Sequence, residues 1–169
     1  MRVLAMVLVA LCVWALPLAA KPSVLDEDQS GAVSPAEKAG VQAVICDLFV
    51  AYYNRDVDRV VEIEKGAIES SALAYEKQGK GKADDVRDAF REGARDVLSH
   101  KDFAMEPLRL EDVRYKHSKG RIVVSSVVPI IATNKVTLAA SGLQVRLSIS
   151  TLVFEKKGNR FEIVAMQIH

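Results

Sequence analysis

Near Asp102 the spacing of apolar residues changes from a period of 3.6 to a period of 2, and that switch limits what the chain can fold into. Before it, Val41, Val44, Ile45, Leu48, Phe49 and Tyr52 recur at i, i+3, i+4, i+7, i+8 and i+11. They form one stripe of a helix, and such a stripe needs a sheet or a second helix to cover it. The spacing predicts a first helix from Pro35 to about Tyr53, opened by Ser34-Pro35-Ala36-Glu37, a capping box with proline at the first helical position. Asn54-Arg55-Asp56 interrupts the pattern. Asp56 then caps a second segment from Val57 to about Lys65, with Val57, Val60 and Val61 inward and Lys65-Gly66 as its end. Leu73 to Tyr75 reads as a short strand. A third helix runs from about Ala83 to Leu98 on the stripe Val86, Ala89, Phe90, Ala94 and Val97. Between the two, Gly79-Lys80-Gly81-Lys82 lacks the spacing of a phosphate loop, and Asp84 and Asp85 in the next helical turn would compete with a phosphate. It reads as a turn. His100, near the end of the third helix, suits the helix dipole and reads as a surface residue.

After Asp102 four strands are expected: Glu106 to His117, Arg121 to Thr133, Leu143 to Phe154 and Arg160 to Ile168. Ser118-Lys119-Gly120 makes the first turn, Asn134 to Gly142 a looser connection, and Glu155 to Asn159 a hairpin turn. Pro129 has no N–H for a sheet ladder, so it marks an edge position or a bulge in the long second strand. Three N-terminal helical segments followed by a curved antiparallel sheet of four or more strands define an α+β domain over residues 35–169, with helices on one face of the sheet.

The first twenty residues stand apart. Arg2 is the only charge before Lys21, Val3 to Leu18 is almost wholly apolar, and Leu18-Ala19-Ala20 puts small residues before Lys21-Pro22. That is the pattern of a signal peptide, residues 1–20, cleaved before Lys21, and it implies a secreted or periplasmic protein with no membrane span after cleavage. The alternative is an uncleaved anchor, because the apolar run approaches the roughly 20 residues of a spanning helix. Leu11 before Cys12 disfavours a lipid anchor at that cysteine. Without residues 1–20 the 23 basic residues become 22, against 22 acidic ones, and no block of like charge stands out. Such a balance disfavours nucleic acid and anionic membrane surfaces as partners. Cys46 is the one cysteine left, so no internal disulfide can form, and it reads as a small core residue.

Residues 21–34 form an acidic leader whose end overlaps a calcium-loop pattern, Asp26 to Glu37. Asp26, Asp28 and Ser30 fall at loop positions one, three and five, Gly31 at six, the Ala32 carbonyl at seven, Ser34 at nine and Glu37 at twelve. Ca2+ needs six to eight oxygens around one point, which this spacing can supply. Only a short stretch precedes the loop after cleavage, however, and Ser34 with Glu37 is equally explained by the helix cap.

The chain resembles the NTF2-like superfamily (the SnoaL-like or cystatin-like α+β cone) over about Val41 to His169. The resemblance rests on the helix ending AYYNRDVDRVV, the later helix DDVRDAFREGARDVL and the strand pair STLVFEKKGNRFEIVAMQIH. It implies a cone with an apolar cavity, which would place Phe49, Tyr52, Tyr53, Phe90 and Ser150 among the ligand-binding residues. It also implies pairing as a homodimer through the exposed sheet face. Isomerases of the superfamily carry a tyrosine where this chain has Phe49 and an aspartic acid near Ser150; for their general base the nearest acidic residues are Glu64 and Glu69. Tyr52 or Tyr53 could replace the missing hydroxyl. An apolar pocket without donors cannot stabilise an enolate. The expectation is therefore an exported, non-catalytic domain that binds a small apolar or amphipathic ligand, or a protein partner. The alternatives are an isomerase, dehydratase or cyclase of this superfamily and a calcium-binding accessory protein.

Overall fold

The computed structural model describes residues 32–138 and 142–168. The expected signal segment, residues 1–20, and the expected loop residues Asp26, Asp28 and Ser30 lie outside them. Three helices come first: α1 (Pro35–Tyr53), α2 (Val57–Lys77) and α3 (Ala83–Ser99). The strands β1 (Arg114–Ser118), β2 (Arg121–Ser125), β3 (Ile131–Ala132), β4 (Val136–Leu138), β5 (Leu143–Val145), β6 (Ser148–Lys157) and β7 (Arg160–Ile168) follow. The fold is α+β, with helices packed on an antiparallel sheet.

Both helix starts are built as the side chains dictate. Ser34 Oγ accepts the Glu37 N–H at 3.3 Å while the Glu37 carboxylate accepts the Ser34 N–H at 2.9 Å, which completes the capping box. Asp56 accepts the Arg59 N–H at 3.0 Å and starts α2. The expected end of α2 at Gly66 is wrong: the helix continues to Lys77 and absorbs Leu73 to Tyr75, read as a strand. Its inner stripe is Val60, Glu64, Ala67, Ile68 and Ala72, so a glutamate interrupts the apolar pattern. Gly66 serves packing instead of termination. A Cβ there would stand 2.5 Å from the Ile163 carbonyl oxygen of β7, so a bare backbone is what lets helix and strand approach.

The main sheet runs β1-β2-β6-β7, with β3 sharing the β2 edge of β6. The expected strand Arg121 to Thr133 is thus one path with a break in it. Ser126 N–H bonds the Ser150 carbonyl and Ile130 N–H bonds the Ile149 carbonyl, so Val127, Val128 and Pro129 loop out between adjacent partners. Pro129 is the reason this stretch cannot keep the ladder. The expected strand Glu106 to His117 shrinks to Arg114–Ser118. Its first half still lies beside the β3 stretch through single bonds, Glu106 N–H to Ala132 O and Arg109 N–H to Ile130 O. Leu143 to Phe154 divides at Arg146-Leu147, where Thr133 Oγ1 accepts the Leu147 N–H and Arg146 Nε donates to the Thr133 carbonyl. The looser connection contains β4, which pairs with β5 as a separate small hairpin. Register slips at Ser150 in β6 and Val164 in β7 add bulges that bend the sheet.

The core lies between α1, α2 and this bent sheet. Val41, Ile45, Leu48 and Tyr52 of α1 meet Ile122, Val124, Leu152, Phe154 and Ile163 in one continuous cluster. Helix α3 reaches it only at its C-terminal end, through Leu98 and Val97, and is otherwise seated on α2 through Ile68, Phe90 and Ala94 and clamped by the Arg87–Glu69 and Arg91–Asp58 ion pairs. His100 is half-buried rather than a free surface group: Nε2 lies 2.9 Å from the Thr137 carbonyl, and Nδ1 accepts the Asp102 N–H.

Candidate functional site

Two places combine chemistry with geometry, and they lie on opposite faces of α2. The first is inside. Tyr52 of α1 donates its hydroxyl to Glu64 Oε1 of α2 at 2.7 Å, and both side chains are fully buried. Glu64 Oε2 has no hydrogen-bond partner among the described residues. Burial pushes the Glu64 carboxyl up to about 8, and the Tyr52 hydroxyl opposes the shift only in part. At neutral pH Glu64 is therefore an uncharged acid. Burial likewise lifts Tyr52 well above the usual phenol range, so it stays protonated. A neutral acid beside a phenol is a pair of hydrogen-bond groups in an apolar interior.

The second place is a groove of about 1130 Å³ between α1, α2 and the β6–β7 hairpin. Its apolar lining comes from Gly40, Ala43 and Val44 of α1, Ile63 and Gly66 of α2, and Phe161 of β7. The Phe161 ring lies where a Cβ on Gly40 would stand, 2.5 Å away, so the glycine brings hairpin and helix together. Val44, Ile63 and Phe161 are half-buried, while Glu62, Lys65, Lys156 and Arg160 around them are exposed. The groove thus has an apolar floor and a charged rim. Some rim charges are paired: Asp47 with Arg59, Glu162 with Lys157 at 2.6 Å, and Glu69 with Arg87 at 2.6 Å. Among the described residues no ion pair engages Lys65, Lys156 or Arg160. Neither Tyr52 nor Glu64 lines this groove.

The residues expected to bind a ligand do not converge. Tyr52 is in the core with Glu64, whereas Tyr53 is 66% exposed and stacks on Phe49 with ring centroids 6.3 Å apart. Phe90 belongs to the separate α2–α3 cluster with Ile68 and Ala94. Ser150 sits at the bulge in β6, where its carbonyl accepts the Ser126 N–H. None of the five lines the groove. Of the residues expected in a calcium loop, Ala32, Ser34 and Glu37 are described. Glu37 Oε2 accepts both the N–H and the hydroxyl of Ser34, the latter at 2.7 Å, and His117 Nε2 lies 3.5 Å from it. The Ser34 bonds hold the Glu37 carboxyl below its usual range. A calcium ion at this loop would have to compete for that carboxylate. Among the described residues, no three His, Cys, Asp or Glu side chains are placed to hold a metal together.

No family model, curated protein or solved structure matches this chain. Its own geometry is what a functional reading can use. The groove residues escaped the sequence because they come from two successive helices near the start of the fold and the hairpin at its C-terminal end. The available signal was a second face of α1, Ala36, Gly40 and Ala43, small residues outside the main stripe that adjoin Val44 at its edge.

Proposed function

We propose that this protein is a non-catalytic binding module and that the groove between α1, α2 and the β6–β7 hairpin receives a small amphipathic ligand. The single observation behind this reading is the groove itself: about 1130 Å³, with half-buried Val44, Ile63 and Phe161 beneath an exposed charged rim. That volume is at or slightly above the roughly 300–1,000 Å³ of small-molecule pockets, and an apolar surface with a few polar groups at its edge is their usual make-up. Relative to a ligand inside an NTF2-like cone, the reading moves the site outward, because Leu48, Tyr52, Leu152 and Phe154 pack the interior. The order of three helices before a bent antiparallel sheet supports kinship with that superfamily as part of the same proposal. Among the described residues no helix is long and apolar enough to cross a membrane. Native mass spectrometry of the purified protein tests the reading and the proposed cleavage before Lys21 together. The expected result is a chain without residues 1–20 that carries a small-molecule adduct. Ala43 is exposed, so Ala43→Trp should fill the groove without disturbing the fold and remove the adduct. An adduct unchanged by that substitution would refute the assignment.

An enzymatic reading has one observation in its favour, the neutral Glu64 beside Tyr52, which could polarise a carbonyl if a substrate reached it. Its test is hydrogen–deuterium exchange alpha to a ketone. Exchange that is lost in Glu64→Gln supports an enzyme, and exchange no faster than buffer excludes this chemistry for that ketone.

A further inference from the structure

The rim of the groove is not neutral once its internal ion pairs are set aside. Asp47 is held by Arg59, Glu162 by Lys157 and Glu69 by Arg87. What remains is Lys65 on α2, Lys156 and Arg160 at the tip of the β6–β7 hairpin, and two carboxylates: Glu37, bonded to Ser34 at the start of α1, and Glu62, whose field falls on Arg59. Three cations against two acids leave an excess of one positive charge, and the two cations at the hairpin tip, Lys156 and Arg160, have no ion pair among the described residues. Lys156 pairs across the hairpin with Phe161, so this cation and the apolar floor share one face of the hairpin, while Arg160 pairs with Lys157 at its end and also lines the groove. Arg160 and Lys157 flank the Gly158–Asn159 turn, where Gly158 takes a φ of 61° that suits glycine.

We infer that the groove selects an anionic single-chain amphipath, a carboxylate-headed chain with its tail on Val44, Ile63 and Phe161 and its head at Lys156 and Arg160. This rests on the groove being the binding site, and it names the ligand's charge. A guanidinium can hold a carboxylate with two parallel hydrogen bonds, and an ammonium on the same rim adds a point charge. The tail gains by removing half-buried apolar surface from water. The head gains only because these two cations have no carboxylate of their own.

Calorimetric titration of the purified full chain with decanoate, 1-decanol and acetate, each below its aggregation threshold, tests this. Decanoate should bind at least about tenfold more tightly than 1-decanol, the effect of one or two charge-assisted hydrogen bonds at an exposed site. Acetate, a head without a tail, should give no heat. The double substitution Lys156→Gln with Arg160→Gln, on an exposed hairpin tip, should bring decanoate down to the affinity of 1-decanol. Equal binding of decanoate and 1-decanol by the native protein would overturn the charge selection and leave the groove standing. Binding of either that survives Ala43→Trp would overturn the groove itself.

Discussion

Glu64 is the residue whose environment most departs from its ordinary chemistry. Its carboxyl is pushed up to about 8, against an ordinary value of 4.5, so between those limits the folded chain holds a proton that the unfolded chain has released. Stability is then full below about pH 4.5, falls as pH rises, and levels off above about 8. The linkage slope is about 1.4 kcal/mol per pH unit, or roughly 5 kcal/mol over the window. Urea unfolding from pH 5 to 8 should show this decline, and Glu64→Gln should flatten it. An equal slope in the variant would show that Glu64 is solvated or paired. Tyr52→Phe removes the one bond the carboxyl has and leaves Oε1 as unsatisfied as Oε2. It should cost about 1–3 kcal/mol at pH 5, measured by the same unfolding. The sequence named both residues but could not join them. Tyr52 was placed on the inner stripe and Glu64 only among acidic candidates, because their contact depends on how two helices cross and not on either helix's own period.

At the scale of elements, glycines and caps decide how close the pieces come. Gly66 in mid-helix looks like a stop, since glycine is about 1 kcal/mol worse than alanine there. Its contact with the Ile163 carbonyl oxygen reverses the expected gain from Gly66→Ala. A backbone atom cannot swing aside, so the variant should lose about 1–2 kcal/mol net, read as a lower urea midpoint at unchanged m-value. Gly40→Ala meets only the Phe161 ring, a side chain that can turn, and should be milder. A stabilised Gly66→Ala would mean that α2 and β7 do not approach as described. Ser34→Ala breaks the capping box at the start of α1 and should cost about 1 kcal/mol. The caps were fully legible because Ser34-Pro35-Ala36-Glu37 and Asp56 act within one turn of themselves. Strand continuity was not. The loop-out at Val127 to Pro129 leaves Val127 94% exposed, and that interruption depends on which β6 carbonyls the chain meets. The proline showed that a break was due, while its length came from the partner strand.

Across the whole molecule, the switch of period near Asp102 was enough to give helices first and an antiparallel sheet after, because each period is local and repeated. The functional surface is the opposite case. Its floor joins Val44, Ile63 and Phe161, three residues that share no period and meet only when the β6–β7 hairpin folds back between α1 and α2. The central claim is that a ligand binds on this outer face and leaves the packed interior alone. Amide chemical-shift mapping during a decanoate titration tests it most directly. The expected shifts cluster at Gly40, Val44, Gly66, Lys156 and Phe161, with Tyr52, Glu64 and Leu152 unmoved. Shifts centred on Tyr52, Glu64 and Leu152, with the groove silent, would contradict it and place the ligand inside the fold.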